Sequence, residues 1–319
     1  MGAGFLWVVG VSAAMGCGRL EFDVVGTATD PDANGVVIDS LADLEAPCGA
    51  TWCAEASGVP DDLAAIWGTA AANMWAVGGG GALLHRDATG WNTEDPNLNE
   101  NLRAVWGSAP DDIWALGDNG AATHFDGTLW TPSVISSSNI TGAWGAADND
   151  TWAVANTPDV LLHFNGSAWT SMPSPISANA IWGTSATDIW IVGSNGATAH
   201  YDGTGWMTGP TIDSRDLNDI SGVAANDLWV VGGFGLAAHF DGSSWTIVPT
   251  ASTAPLSGVY AIAPNDVWAT GSGGALLHWT GAAWQQGTSG TTSSLTEIWG
   301  TGPNSFRVVG INGLILRGP

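Results

Sequence analysis

The chain has 319 residues, with 45 Gly, 20 Trp and only 11% charged residues, and its formal net charge at pH 7 is −24. All six basic residues are Arg and they are scattered, which excludes nucleic-acid binding and polybasic attachment to anionic lipid, because both need clustered cations. With 45% hydrophobic residues, the chain can bury a large core, so intrinsic disorder is excluded as well.

The N-terminal segment, 1–17, has the features of an export signal. A short apolar run, 5–11, is followed by small residues and then by Cys17. The run is far shorter than the ~20 residues of a membrane-spanning helix. The segment resembles bacterial lipoprotein signals, which implies lipidation at Cys17, an outer-membrane protein facing the periplasm or the cell surface, and membrane contact only through the lipid. An ordinary cleaved signal or a mis-assigned start is the alternative, because the segment lacks the usual Lys or Arg.

A spacer and a pair of cysteines follow the signal. Residues 18–46 hold seven acidic residues and one Arg without a clear hydrophobic period, which predicts a solvated tether. In an exported protein, a disulfide between the closely spaced Cys48 and Cys53 is favoured. A metal site is the alternative, although two ligands are too few for zinc. We therefore divide the chain into a signal (1–17), the tether and a folded domain (47–319).

The folded domain consists of seven similar repeats. The motif Trp-x-Val-Gly and its close variants recur at nearly constant intervals. Its first position is occupied by Trp75, Trp114, Trp152, Trp190, Trp229, Trp268 and, in the seventh unit, Phe306. Further along each unit stand His85, His124, His163, His200, His239 and His278, with Arg317 in the last unit. Each unit has four short β-branched or aromatic runs between turn sequences, which predicts four antiparallel strands.

Four strands in each of seven repeats predict an all-β, seven-bladed β-propeller. In the second unit the expected strands are 102–106, 113–116, 121–125 and 129–132. The dipeptide Asp126-Gly127 predicts a type I′ turn between the last two strands.

The end of the repeat array predicts how the ring closes. The fourth strands carry Trp91, Trp130, Trp169, Trp206, Trp245 and Trp284, and the seventh unit ends before such a Trp. Trp52 precedes Trp91 by one repeat length. We therefore expect the strand at Trp52 to complete the last blade, which removes two unpaired sheet edges. A Cys48–Cys53 bridge would pin this strand.

Three propeller families share elements of the motif. Asp241-Gly-Ser-Ser-Trp245 is similar to a shortened Asp-box of bacterial neuraminidase repeats, and Gly232-Gly233 after the second strand resembles kelch repeats. The whole unit resembles tectonin repeats, some of which bind bacterial surface glycans. The resemblance covers residues 49–319 and implies a binding propeller.

The repeated polar residues do not predict a catalytic or metal site. The six His lie in different units, so they cannot converge on one ion, and we expect each to bond a loop carboxylate or the backbone. The acidic residues of the first turns are expected to stabilise those turns. No nucleophile–base constellation is evident. We expect no metal, no cofactor and no enzymatic activity, with the fourth-strand Trp as candidate sugar-stacking platforms.

Residues that differ between units are the better candidates for specific recognition. The connections from each fourth strand to the next first strand should share one face of the disc. Two of them are charged and supply our candidate ligand-binding residues: Glu94, Asp95 and Glu100, and Asp213, Arg215 and Asp216. Most second-to-third turns on this face are too tight to contact a ligand. We expect a monomeric scaffold or adhesion protein that binds a protein through this face. A multivalent carbohydrate-binding module is the alternative.

Overall fold

The computed structural model describes residues 52–302 and 305–318. The signal segment, the tether and Cys48 lie outside the described residues, so the predictions for them stand as predictions. Within the described ranges, no helix is long and apolar enough to cross a membrane.

Seven four-stranded antiparallel sheets, named blades 1 to 7, follow one another along the chain. The first element of the described residues is β1 (Cys53–Glu55). Blade 1 contains β2 (Leu63–Ala70), β3 (Asn73–Gly78), β4 (Leu83–Asp87) and β5 (Gly90–Thr93). Blade 2 contains β6 (Leu102–Ala109), β7 (Asp112–Gly117), β8 (Ala121–Phe125) and β9 (Trp130–Val134). Blade 3 contains β10 (Asn139–Ala147), β11 (Asp150–Asn156), β12 (Val160–Phe164) and β13 (Trp169–Pro173).

The remaining blades repeat this order. Blade 4 contains β14 (Ala178–Ser185), β15 (Asp188–Gly193), β16 (Thr198–Tyr201) and β17 (Trp206–Thr208). Blade 5 contains β18 (Leu217–Ala224), β19 (Asp227–Gly232), β20 (Ala237–Phe240) and β21 (Trp245–Ile247). Blade 6 contains β22 (Leu256–Ala263), β23 (Asp266–Gly271), β24 (Leu276–Trp279) and β25 (Trp284–Gln286). Blade 7 contains β26 (Leu295–Trp299), β27 (Arg307–Gly310), β28 (Ile315–Arg317) and, as its outer strand, β1.

The ring closes as the repeat spacing predicts. Cys53, Ala54 and Glu55 of β1 pair antiparallel with β28. The first strand of each blade packs against the first strands of its two neighbours, and β26 completes the cycle by packing against β2. The seven-bladed β-propeller with four antiparallel strands per blade is thereby confirmed.

The second strand of each blade is buried on both sides, because the neighbouring blades cover both faces of the sheet. In β3, Met74, Trp75, Ala76 and Val77 are all at most 2% exposed. This double burial explains why the repeat motif is apolar without alternation. The fourth strands lie at the outer rim, where most of their residues are exposed.

Tryptophans join successive blades. In blades 2 to 6, the ring of the fourth-strand Trp meets the second-strand Trp of the preceding blade edge to face, with centroids 5.2–5.9 Å apart: Trp130 on Trp75, Trp169 on Trp114, Trp206 on Trp152, Trp245 on Trp190 and Trp284 on Trp229. Trp52 makes the same contact with Trp268, at 5.6 Å. Trp52 therefore fills the place that the spacing assigns to it, and its contact fixes blade 7 to blade 6.

At the junction between blades 7 and 1, charged groups replace the contact between tryptophans and lie beside a buried apolar cluster that includes Met74, Trp299 and Val309. The Glu55 carboxylate lies 2.8 Å from Nε of Arg307, and the Nε atoms of Arg86 and Arg317 lie 3.8 Å from it. Trp91 Nε1 donates to the same carboxylate at 2.9 Å. Three Arg that stand at unlike repeat positions in the sequence thus meet at the seam where the ring closes.

The assignment of Phe306 to the seventh Trp position is wrong. The residue opposite Trp299 is Arg307, so Arg307 holds that position in register. Phe306 instead packs on Trp268 at 5.5 Å, the contact that third-strand aromatics make elsewhere. Sequence spacing cannot show this exchange, because it depends on which side of the strand faces the neighbouring blade.

The turn at Asp126-Gly127 is not type I′. Phe125 pairs with Trp130, so four residues form the loop. Within it Gly127 has a positive φ of 88°. The Asp126 side chain accepts the backbone N–H groups of Thr128 and Leu129 at 2.9 and 3.1 Å, which makes a side-chain-capped turn. β9 accordingly begins at Trp130 instead of 129.

Candidate interaction face and central channel

One face of the disc, named the loop face, carries the connections from each fourth strand to the next blade together with the second-to-third turns. The connections are fixed in place by glycines of these turns. Gly196 has φ 69°, and a Cβ on it would lie 1.8 Å from the carbonyl oxygen of Asp213. Gly235 has φ 70°, with the carbonyl oxygen of Ser252 2.0 Å from its Cβ position. Since only glycine fits there, each connection lies tightly against the turn of its own blade.

The candidate residues of the connection between blades 4 and 5 are brought together. Asp213 accepts two hydrogen bonds from the Arg215 guanidinium, at 3.0 and 2.9 Å. This pairing, with the backbone N–H of Arg215, holds the pKa of Asp213 well below its usual range. Arg215 Nη1 also donates to the carbonyl of Phe234 at 3.4 Å, in the turn of blade 5. The connection therefore links two neighbouring blades at the surface.

Asp216 has a structural role. Its Oδ1 accepts the backbone N–H of Asn195 at 2.8 Å, across the boundary between blades 4 and 5. The residues in the matching place at other boundaries make the same bond: Asn101 to Gly80, Asn139 to Asn119 and Asp62 to Asn312. An oxygen acceptor before the first strand thus caps the turn of the preceding blade, so Asp216 serves the fold first.

The other three candidate residues lie in the connection between blades 1 and 2, three blades away. Asp95 accepts the backbone N–H of Asn97 at 2.8 Å, and Glu100 accepts that of Asn99 at 3.2 Å. Glu94 is exposed. The structure therefore places the six candidates on one face, as expected, but in two separate groups.

The loop face also carries an exposed aromatic residue that the sequence patterns did not indicate. Phe234 lies at the tip of the second-to-third turn of blade 5 and is 72% exposed. The turn of blade 5 thus carries a side chain that is open to contact, among turns that the sequence predicts to be mostly too tight to contact a ligand. An alignment of the turns could have indicated this residue. The corresponding place holds a Gly or Asn in five other blades: Gly80, Asn119, Asn195, Gly273 and Asn312.

A central channel of about 400 Å³ is lined by the first strands of all seven blades. One place in the first strands that line the channel holds an aromatic residue in six blades (Trp67, Trp106, Trp144, Trp182, Tyr260 and Trp299) and Ser221 in blade 5. Two positions before it, five blades have Ala or Gly: Ala65, Ala104, Gly142, Ala180 and Gly258. Blades 5 and 7 have Asp219 and Glu297 there instead. The fold needs only a small residue at this place, so the two acids are a particular feature of this chain.

The two channel acids flank blade 6. Asp219 Oδ2 accepts the backbone N–H of Val259 at 2.7 Å. A Cβ on Gly258 would lie 2.9 Å from Glu297 Oε1, so the missing side chain leaves room for the glutamate. Burial raises the pKa of Asp219 to about 7. Burial and then the Asp219 charge raise the pKa of Glu297 well above its usual value.

The opposite face carries the repeated His–Asp pairs. The Nε2 atoms of five His lie 2.6–2.7 Å from an aspartate of the same blade: His124 with Asp112, His163 with Asp150, His200 with Asp188, His239 with Asp227 and His278 with Asp266. His85 pairs with Asn73 at 3.1 Å. Each His also packs on the second-strand Trp of its blade, with centroids 4.0–4.7 Å apart. The carboxylate partners match the sequence expectation.

The fourth-strand Trp side chains serve blade packing. Trp130 and Trp284 are buried, and the others are half-buried. Their indole nitrogens, Trp91 excepted, are enclosed in the interface. The rings therefore do not form a set of open stacking platforms.

Comparisons with known proteins show the fold. No protein-family model matches the sequence, and a search of curated proteins gave no match. Among solved structures, YCF48 bound to D1 peptide is similar with a TM-score of 0.70 at 17% identity, over 84% of this chain and 94% of that one. YCF48 from Cyanidioschyzon merolae has a TM-score of 0.67 at 16% identity, over 84% and 98%. The WD40 β-propeller domain of Doa1 has a TM-score of 0.66 at 10% identity, over 84% and 95%. At these identities the likeness establishes that the chain has a β-propeller fold.

Proposed function

We propose that this protein is a non-catalytic scaffold or adhesion protein of the bacterial envelope, which binds a protein partner through the loop face. One observation carries the proposal. The residues that recur in most blades have structural roles, as the Trp contacts and the His–Asp pairs show. Among the exposed residues, those of the loop-face connections differ from blade to blade, and they are presented to solvent beside tight turns.

The similar structures support protein recognition as the kind of function. One of them is a propeller described as bound to a peptide, and another is a WD40 propeller. A propeller face is wide and its loops vary without disturbing the blades.

The envelope location rests on the sequence. The apolar run before Cys17 supports export with lipidation, and the acidic spacer that follows supports a domain held away from a surface. The predicted Cys48–Cys53 bridge fits an oxidising compartment. The absence of Lys from the whole chain makes attraction to anionic polymers unfavourable.

The proposal is tested by site-specific photo-crosslinking in cells that produce the full chain. A photoreactive amino acid replaces Ser214, which is exposed on the loop face, or Ser243, which is exposed on the opposite face. We expect a discrete protein adduct from position 214 and none from the matched position 243. Adducts from position 243 alone would contradict the choice of face. No protein adduct at 214, together with saturable glycan binding at several sites per chain, would favour the carbohydrate-binding alternative.

A further inference from the structure

Phe234 has a backbone conformation that is unfavourable for its side chain. Its φ is +52°, in the left-handed region that bulky residues rarely adopt. The corresponding residues of the six other blades have φ between 55° and 68°, and five of them are Gly or Asn, which tolerate it: Gly80, Asn119, Asn195, Gly273 and Asn312. The sixth is Thr157 of blade 3, with φ 59°. The turn therefore imposes the conformation, and blade 5 has a residue that the turn does not favour.

The Phe234 ring contributes little to the stability of the fold. Phe234 is 72% exposed, so its apolar surface contributes little burial. Its neighbours in the turn are placed firmly, because Gly233 N donates to Asp216 O at 3.0 Å and Leu236 is buried. An unfavourable residue held rigidly in solvent is the pattern of a side chain kept for contact with another molecule.

Polar and charged residues surround Phe234. The Arg215 guanidinium, fixed by Asp213, reaches the carbonyl of Phe234. Asp216 is exposed beside the turn. Aromatic and Arg side chains are typical of the residues that dominate binding in protein interfaces, and Phe234 and Arg215 lie side by side here.

The charge of the loop face indicates the kind of partner. Two Arg lie there, Arg103 and Arg215, and each is paired with an aspartate, Asp118 or Asp213. The acidic residues of this face are more numerous: Asp61, Asp62, Glu94, Asp95, Glu100, Asp118, Asp159, Asp213 and Asp216. The face therefore attracts positive charge.

We propose that Phe234 is the apolar anchor of a binding site for a basic polypeptide segment. An aliphatic or aromatic side chain of the partner packs on the ring, and its Lys or Arg side chains lie against the surrounding carboxylates. This inference rests on the proposed function, because it specifies the partner of the same face.

A random-peptide display library is the probe, selected against the immobilised full chain. We expect the enriched peptides to combine Lys or Arg with a large apolar residue. The Phe234→Asn variant, which copies the residue of blades 2 and 4, should weaken binding of a selected peptide by about tenfold or more. The same variant should raise the Tm by about 1–3 °C, since the strain is relieved and little burial is lost. Leu129→Asn, at an exposed site on the opposite face, is the matched control and should leave peptide binding unchanged.

Several results would overturn the inference. Peptides that bind the loop face equally well after Phe234→Asn, or that are acidic, would contradict it and leave the proposed function standing. A lower Tm for Phe234→Asn would show that the ring serves the fold. If no peptide is enriched, or if binding is lost only with Leu129→Asn, both the inference and the proposed loop-face function fail. Glycan binding that depends on Phe234 would replace the basic segment by a sugar.

Discussion

The carboxylate of Glu55 in β1 accepts a hydrogen bond of 2.8 Å from Nε of Arg307 in β27, so an ion pair joins the first described strand to the last blade. Trp91 of blade 1 donates to the same carboxylate at 2.9 Å. Glu55 thus connects the outer strand of blade 7 to the next blade. The seam between blades 7 and 1 therefore combines this ion-pair cluster with apolar packing, whereas aromatic contacts join blades 6 and 7.

Replacing Glu55 should destabilise the protein strongly. In Glu55→Gln, the Arg guanidinium groups around it lose the carboxylate while they stay buried, and breaking such a pair costs about 3–5 kcal/mol. We expect a Tm lowered by several degrees in thermal unfolding. Glu94→Gln, an exposed change of the same chemistry, is the control and should stay within about 0.5 kcal/mol of the parent. Equal stability of the two variants would show that the seam is held by other contacts.

The predicted Cys48–Cys53 bridge should stabilise the closing strand. A disulfide that closes so short a loop contributes about 2 kcal/mol by restricting the unfolded chain. We expect Cys53→Ser, and reduction of the parent protein, to lower the Tm by similar amounts. Peptide mapping without reductant should find the two cysteines linked. An unchanged Tm, or a free thiol at Cys53, would rule out the bridge.

The channel acids should make stability depend on pH. Both carboxyls have a raised pKa in the folded state, so the folded protein binds more protons than the unfolded chain between about pH 4 and pH 7. The contribution of Asp219 is therefore fully present at low pH and is lost as the pH rises through about 7, and that of Glu297 is lost in the same direction. The channel is also lined by two further side chains that can carry charge, Arg103 and Tyr260.

The variant Asp219→Asn isolates this effect from the general repulsion in an acidic protein. Asn keeps an oxygen that can accept the Val259 N–H, but it does not titrate. We expect the difference in Tm between pH 5 and pH 8 to shrink by several degrees in Asp219→Asn, with Glu94→Gln as control. A difference that stays the same as in the parent would mean that the carboxyl does not retain its proton in the channel.

Much of the fold could be predicted because seven copies of one unit repeat the same signals. The period of the Trp residues indicates the number of blades, and the distance from Trp52 to Trp91 indicates the closing strand. The exchange of Phe306 and Arg307 could not be predicted in this way, since the last unit departs from the pattern in both residues. The turn after Phe125 differs from the predicted type I′ turn because the Asp126 side chain accepts the backbone N–H groups of Thr128 and Leu129. These hydrogen bonds stabilise a four-residue loop.

The site could be predicted less well, because it is made of departures from the repeat. The charged connections lie on one face of the disc, as the sequence predicts, whereas the ion pair between Asp213 and Arg215 is a finding of the structure. Asp219, Glu297 and Phe234 were missed, since each stands at a position that has small or turn-forming residues in other blades. An alignment of the units by strand indicates all three, because Asp219 and Glu297 stand where other blades have Ala or Gly and Phe234 stands at a turn position.

The proposed function requires that a single site on the loop face binds the protein partner. Isothermal titration calorimetry of the full chain with the partner identified through the position-214 adduct measures this stoichiometry. We predict one partner per chain, with affinity reduced in Phe234→Asn and unchanged in Leu129→Asn. Several equivalent sites per chain, unaffected by Phe234→Asn, would contradict a single loop-face site.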